Sequence, residues 1–287
     1  MSALGTFLKG MAMGAADVVP GVSGGTVALI TGIYQTLIDS IRAFDLSLAR
    51  LLLRGEFRAG WHKINGGFLL ALVAGIALSL LSLARAISVA LERYPVAIYS
   101  FFIGLIIASA CLLLRDIARW RAGPILSLLV GALLMLLFSE LRPLNVTPTP
   151  LMLFGAGAIA ICAMILPGIS GSFLLLMMGL YPFILEAVHR LQWLPLAIFA
   201  AGCACGLLSF VRLLSWLLHR HHDLLMAFLI GVLFASVKIL WPWTAASGDL
   251  ALPESPGMAP MAFLLGVILV AGVHIAARRS ALARVGD

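Results

Sequence analysis

Residues 18–34 read VVPGVSGGTVALITGIY, and residues 165–181 read ILPGISGSFLLLMMGLY. In both, Pro-Gly and Ser-Gly interrupt a run of apolar residues. Pro has no N–H and ends an incoming helix. Gly lets the backbone take positive φ or approach another group closely, and Ser is a favoured N-cap for the helix that follows. A chain that breaks its helices twice with the same residues points to two equivalent turns.

The surroundings are oily. Of 287 residues, 62% are apolar and 11% charged, against roughly 25% charged in a soluble domain. Apolar runs at 66–91, 95–114, 122–139, 193–218, 224–241 and 258–277 are near the ~20 helical residues that cross ~30 Å of hydrocarbon. The expected fold class is an all-α polytopic membrane protein. The first residues lack a basic segment before an apolar core and a small-residue cleavage site, so no removable signal peptide is expected. Cys111, Cys162, Cys203 and Cys205 lie in apolar segments without metal-ligand spacing, and read as packing residues. No metal site and no cofactor is expected.

Charge sets the orientation. Basic clusters fall at 42–63 (Arg42, Arg50, Arg54, Arg58, Lys63), at Arg115, Arg119 and Arg121, and at Arg278, Arg279 and Arg284. The connections 92–94, 141–149, 189–192 and 242–257 are poor in charge. With Lys9 and Arg220, the clusters read as cytoplasmic, and both termini are expected there too. The formal charge of +7 is therefore topological, with attraction for anionic headgroups, and does not point to nucleic acid.

An offset of 147 aligns 18–41 with 165–188: Pro20/Pro167, Gly21/Gly168, Ser23/Ser170, Gly24/Gly171, Gly32/Gly179 and Tyr34/Tyr181 are identical. An offset of 127 aligns 74–109 with 201–236, including Gly75/Gly202, Arg85/Arg212, Gly104/Gly231 and Ser109/Ser236. The difference corresponds to the basic loop, which the second half lacks. Matched connections fall on opposite faces, and three crossings per half make the repeats inverted. The expected domains are 1–141, with a hairpin at 1–41 and spans 66–91, 95–114 and 122–139, and 142–287, with a hairpin at 150–188 and spans 193–218, 224–241 and 258–277. Each hairpin is either re-entrant or a pair of complete spans; Pro-Gly favours the re-entrant form, because broken backbone is tolerated where it lines a protein cavity.

A turn at Pro20-Gly21 or Pro167-Gly168 starts its second helix near Ser23 or Ser170. The first N–H groups of a helix lack internal partners, and with the helix dipole they suit a phosphate or carboxylate. Ser23, Gly24, Gly25 and Thr26 are candidates in the first copy, and Ser170, Gly171 and Ser172 in the second. Two such tips entering from opposite faces would meet near the midplane. The plainer alternative is that Gly and Ser only let helices pack closely. Arg85 and Arg212, inside spans and symmetry mates, suit phosphate through paired hydrogen bonds; the alternative is snorkelling. Asp17 is the one carboxylate in a motif, with Met164 as counterpart: it could carry a coupling proton, bind a cation such as Na+, or cap the tip. Asp39 and Glu186 read as interfacial, Lys238 as an anchor, and His219, His221 and His222 as a solvated turn.

The stretch GAADVVPGVSGGTVALITGIY, with the later LPGISG and GLY, resembles the PopT-like family of bacterial polyprenyl-phosphate transporters, and the resemblance covers nearly the whole chain. It implies a flippase of the inner membrane that returns undecaprenyl phosphate, the lipid carrier of envelope glycans, from the outer to the inner leaflet. The matching positions are Asp17, Pro20, Gly21, Ser23, Gly24, Gly25 and Thr26, with Pro167, Gly168, Ser170 and Gly171. The second copy departs at Ser172 and Phe173. A compact anion with a lipid tail needs only a polar midplane cavity open sideways, with alternating access to move it. An ion-coupled transporter of a soluble carboxylate or phosphate uses the same physics. Gly-x-Ser-Gly also matches intramembrane serine hydrolases, but such chemistry needs a His base. His274 is the one mid-span candidate, and two Ser copies with one base suit binding better than catalysis.

Overall fold

The computed structural model describes residues 2–19, 22–140, 148–243 and 257–283. All regular structure among them is helical. Chain order gives α1 (Ala3–Asp17), α2 (Gly24–Ile30), α3 (Tyr34–Arg42), α4 (Leu46–Leu53), α5 (Phe57–Lys63), α6 (Gly66–Ser82), α7 (Ala84–Arg93), α8 (Pro95–Leu113) and α9 (Ala122–Ser139). There follow α10 (Pro150–Ile165), α11 (Gly171–Met177), α12 (Tyr181–His189), α13 (Trp193–Arg220), α14 (His222–Leu240) and α15 (Ala259–Ala283). Among the described residues, four helices are long and apolar enough to cross a membrane, or up to six when each sharply bent pair is counted as one span. The chain is a multi-pass membrane protein.

The hairpin regions repeat helix for helix. Adding 147 to α2 and α3 gives the bounds of α11 and α12, and adding 127 to α8 gives those of α14. Caps repeat too. Ser2 Oγ accepts from the Gly5 amide at the start of α1, and Thr149 Oγ1 accepts from the Met152 amide at the start of α10. Gly32 and Gly179 follow the short helices with φ of 69° and 70°, a conformation that costs a residue with Cβ. A helix of seven residues, about 10 Å long, crosses nothing. The bend between α11 and α12 is 109°.

One expected span differs. Residues 66–91, read as one helix, are α6 and α7 interrupted at Leu83. Beyond Leu83 the purely apolar sequence gives way to Arg85, Ser88, Glu92 and Arg93, an amphipathic pattern that suits an interface better than hydrocarbon. Its counterpart α13 runs unbroken for 28 residues. The polar turn expected at 219–223 is reduced to His221, because α13 ends at Arg220 and α14 starts at His222. The basic loop at 42–63 contains α4 and α5. Asp45 caps α4 by accepting from the Ser47 and Leu48 amides, and pairs with Lys63 at 2.6 Å.

Two compact units form, Met1–Ala84 with Glu140–His222, and Arg85–Ser139 with Asp223–Asp287. Each combines part of the first half with part of the second. In the first unit α1 crosses α6 and α10 crosses α13. A Cβ on Gly10 would meet the Leu72 carbonyl oxygen at 2.3 Å, and one on Gly75 the Phe7 oxygen at 2.1 Å. The equivalents Gly157 with Phe199 and Gly202 with Phe154 stand at 2.3 and 2.0 Å. The second unit repeats the device: Gly104 with Phe263 and Gly266 with Phe101, then Gly231 with Leu128 and Gly131 with Phe228. Small residues let helix backbones touch where lipid supplies no hydrophobic drive. Backbone contact thus sets these crossings, while Leu70, Leu126, Leu133, Leu194 and Leu265 remain exposed, as lipid-facing side chains should.

Candidate functional site

Both Ser-Gly tips lie in the first unit, and they meet. Ser23 is the N-cap of α2, its Oγ accepting from the Gly25 amide at 3.1 Å and donating to the Met164 carbonyl at 3.1 Å. Thr26 Oγ1 accepts from the Gly168 amide at 2.9 Å. A Cβ at Gly25 would stand 2.6 Å from the Ile165 oxygen, so the Ser-Gly-Gly string is what lets the backbones touch. Ser23 and Thr26 are fully enclosed, at 1% and 0% exposure. Gly168 takes φ of 85°, which turns its N–H toward Thr26. Pro20 and Gly21, the expected turn of the first hairpin, lie outside the described residues; Pro167 and Gly168 form the turn of the second.

The amides of the first tip are committed. Asp17 Oδ1 accepts from Gly24 N at 2.7 Å, Ser23 Oγ from Gly25 N, and the Ser23 carbonyl from Thr26 N at 2.9 Å. Of the three readings open for Asp17, its hydrogen bond is the one of a cap. A carboxylate at a helix N-terminus also satisfies the dipole, which disfavours a second anion there. The second tip is built differently. Met164 stands where Asp17 would, Ser170 makes no cap hydrogen bond to its helix, and its hydroxyl pairs with that of Ser172 at 2.9 Å. The Gly171 and Ser172 amides have no partner among the described residues. Ser170 and Gly171 are buried and Ser172 is exposed.

The two arginines carry no hydrogen bond or ion pair among the described residues. Arg212, on α13 in the same unit, is exposed. Arg85 belongs to the second unit, in the first turn of α7, and is likewise exposed and unpaired. Sequence reasoning missed Lys9. Counted as a cytoplasmic charge, it sits in α1 and donates to the Thr31 carbonyl at 2.7 Å, closing the C-terminal end of α2. Lys9 and Asp17 are eight residues apart on α1 and bracket the seven residues of α2. The available signal was two opposite charges in an otherwise apolar helix at that separation. Asp39, read as interfacial, accepts from Ser215 Oγ at 3.0 Å, and Glu186 pairs with Arg190 one turn on.

Comparison with known proteins identifies the family. The undecaprenyl phosphate translocase-like family matches residues 13–255. A protein of Vibrio cholerae serotype O1, named polyprenyl-phosphate transporter, is 48% identical over 243 residues, 85% of this chain and 79% of that one. A polyprenyl-phosphate transporter of Staphylococcus aureus is 31% identical over 256 residues, 82% of this chain and 85% of that one. No solved structure matches the chain. The matched region holds both tips, and the chain belongs to the undecaprenyl phosphate translocase-like family.

Proposed function

We propose that this protein transports a polyprenyl phosphate, returning undecaprenyl phosphate from the outer to the inner leaflet of the bacterial inner membrane. Two inverted repeats, 1–141 and 142–287, alternate access to a phosphate site at the paired tips, with both termini cytoplasmic. Family membership and the names of the relatives support the substrate class. The helix bounds and Gly–carbonyl crossings that recur at fixed offsets support the repeat. The basic clusters support the orientation.

The observation that carries the site is the inequality of two tips in contact. The first keeps its own anion, Asp17, on its amides; the second keeps none. The phosphate therefore goes to Ser170, Gly171 and Ser172, while Ser23, Gly24, Gly25 and Thr26 hold the second tip open from behind. Arg212, in the same unit and without a partner, supplies countercharge. Arg85, by its match to Arg212, is the equivalent candidate in the other unit. The surroundings of the hydroxyls favour binding over hydrolase chemistry: Ser23 Oγ donates to a carbonyl, Ser170 Oγ shares a hydrogen bond with Ser172 Oγ, and neither is hydrogen-bonded to a base among the described residues.

Reconstitution in proteoliposomes with a labelled polyprenyl phosphate tests this reading. Transport should need the phosphate and the prenyl chain, and Arg212→Gln or Ser170→Ala should slow it at least about tenfold, the scale of one lost hydrogen bond to a charged group. Competition by soluble carboxylate or inorganic phosphate at equal concentration would instead make the protein a soluble-anion transporter. Running the assay with and without a proton or Na+ gradient shows whether an ion is coupled.

A further inference from the structure

A second polar site lies at the other end of the first unit, where α3 packs against the last turns of α13. A cavity of about 520 Å3 is lined by Arg42, Ser215, Trp216, His219, Arg220 and His221. Ser215 is fully buried and organises it. Its hydroxyl receives from Arg42 Nη1 at 3.0 Å and donates to Asp39 Oδ1 at 3.0 Å. Asp39 is thereby held behind Ser215, and Arg42 is pinned with most of its five N–H donors unspent. His219 Nδ1 lies 2.8 Å from the Ser215 carbonyl. A carbonyl can only accept, so this nitrogen carries the proton and Nε2 faces Asp39 at 3.9 Å. Trp216 is 51% exposed and meets His221 edge-on at 5.3 Å between ring centres.

Depth and charge define the ligand. At 1.5 Å per residue, α13 is about 42 Å long, more than the ~30 Å hydrocarbon core, so its C-terminal turns emerge at a membrane surface. Two guanidiniums face the cavity, while the Asp39 carboxylate accepts from Ser215 through one oxygen and faces His219 through the other. An exposed Trp at the rim suits the headgroup level, where one side is wet and the other apolar. The matching positions of the repeat, by the two offsets, are Ser88, Val89, Glu92, Arg93, Glu186 and His189. Two carboxylates replace the Asp–His pair at those positions, so the sequence does not write the basic set a second time.

The geometry points to a surface site for a phosphate monoester, held by Arg42 and Arg220 with the first isoprene of its chain against Trp216. The ligand class rests on the transport reading above, but none of these residues belongs to the tips. The site is a holding place at the bilayer surface, separate from the crossing point.

Equilibrium binding of radiolabelled farnesyl monophosphate to the full chain in nanodiscs tests it, with farnesol and inorganic phosphate as competitors. Wild type should bind two molecules per chain. Arg42→Gln with Arg220→Gln should lose one, with an affinity drop of about tenfold or more. Arg42→Lys with Arg220→Lys should keep it in part, and equal thermal unfolding of the two double variants excludes misfolding. Met164→Asp, which blocks the second tip, should lose the other molecule. If the Gln double variant still binds two, or wild type binds one that only Met164→Asp removes, the surface site is overturned. If wild type binds one that only the Gln double variant removes, the surface site stands and the tip assignment falls. No binding at all overturns both. Displacement by inorganic phosphate at equal concentration assigns the site to free phosphate; resistance assigns it to a lipid headgroup.

Discussion

The two hairpins share helix bounds and positive-φ glycines, yet different forces hold them. In the first, α1 grips α2 at both ends, Asp17 on the Gly24 amide and Lys9 on the Thr31 carbonyl. In the second, the equivalents are Met164 and Ala156. There Leu153, Ala156, Ala160, Leu175 and Leu180 form an apolar cluster with Phe183, Ile198 and Phe199. Charge at both ends of a short helix opposes its dipole and fixes it in register; apolar packing holds a helix without occupying its polar ends. On the proposed reading one copy of the motif serves as a wall and the other as a receptor, and the charges at Lys9 and Asp17 are what distinguish the first copy from the second.

Making the copies alike is the sharpest way to break this comparison. Met164→Asp places a carboxylate seven residues before Gly171, as Asp17 stands before Gly24. Met164 is 43% exposed, so there is room for it. Transport in proteoliposomes should fall by about a hundredfold, since a like charge in the site costs several kcal/mol at low dielectric, while thermal unfolding changes little. Unimpaired transport would show that the second tip is not the receptor. A smaller effect is expected from closing space: Gly171→Ala brings a methyl to 2.6 Å from the Ala160 oxygen, a clash worth about 1–3 kcal/mol and visible as a lower unfolding temperature in detergent.

Asp17→Ala leaves the Gly24 amide unpaired in a buried setting, about 1–3 kcal/mol, and should destabilise the fold more than Met164→Ala. Lys9→Met removes one charged cap, with an expected cost of about 1 kcal/mol, again by thermal unfolding; no loss would reduce the grip to Asp17 alone. The smallest effect belongs to the loop that only the first half has. The Lys63 ammonium, then the amide of Leu48 and the side chain of Ser47, hold the Asp45 carboxyl well below the usual carboxylate range. A lowered folded-state value means that its contribution is complete above the ordinary carboxylate pKa and is lost as pH falls through the lowered one. Loop proteolysis should therefore be flat from neutral pH to about pH 5 and rise only in stronger acid. Lys63→Met should move that rise to higher pH.

Sequence showed the spans because apolar length is a local property, and showed the tips because Pro-Gly-x-Ser-Gly recurs. It suggested free amides at both tips, since a helix start carries them by default. What closes the first is Asp17, whose role depends on the chain folding back by seven residues. The break at Leu83 falls inside a run that stays mostly apolar as far as Leu91, so hydropathy alone does not mark where the helix stops, although Arg85, Glu92 and Arg93 mark the change of character beyond it. Arg42 and Asp39 meet Ser215 across more than 170 residues, a pairing that no periodicity encodes. Arg85 and Arg212 align in sequence, but one follows a helix break and the other sits in a continuous helix.

The grip of α1 on α2 is also a ruler. Eight residues of one helix measure out seven of another, and both caps need the same face of α1. Inserting one residue between Lys9 and Asp17 would lengthen that spacing by about 1.5 Å and turn one cap by about 100°, so only one end of α2 could be kept. The segment between the two charges is therefore held to its length, as Gly10 and Gly14 within it are held to their size by the backbone of α6.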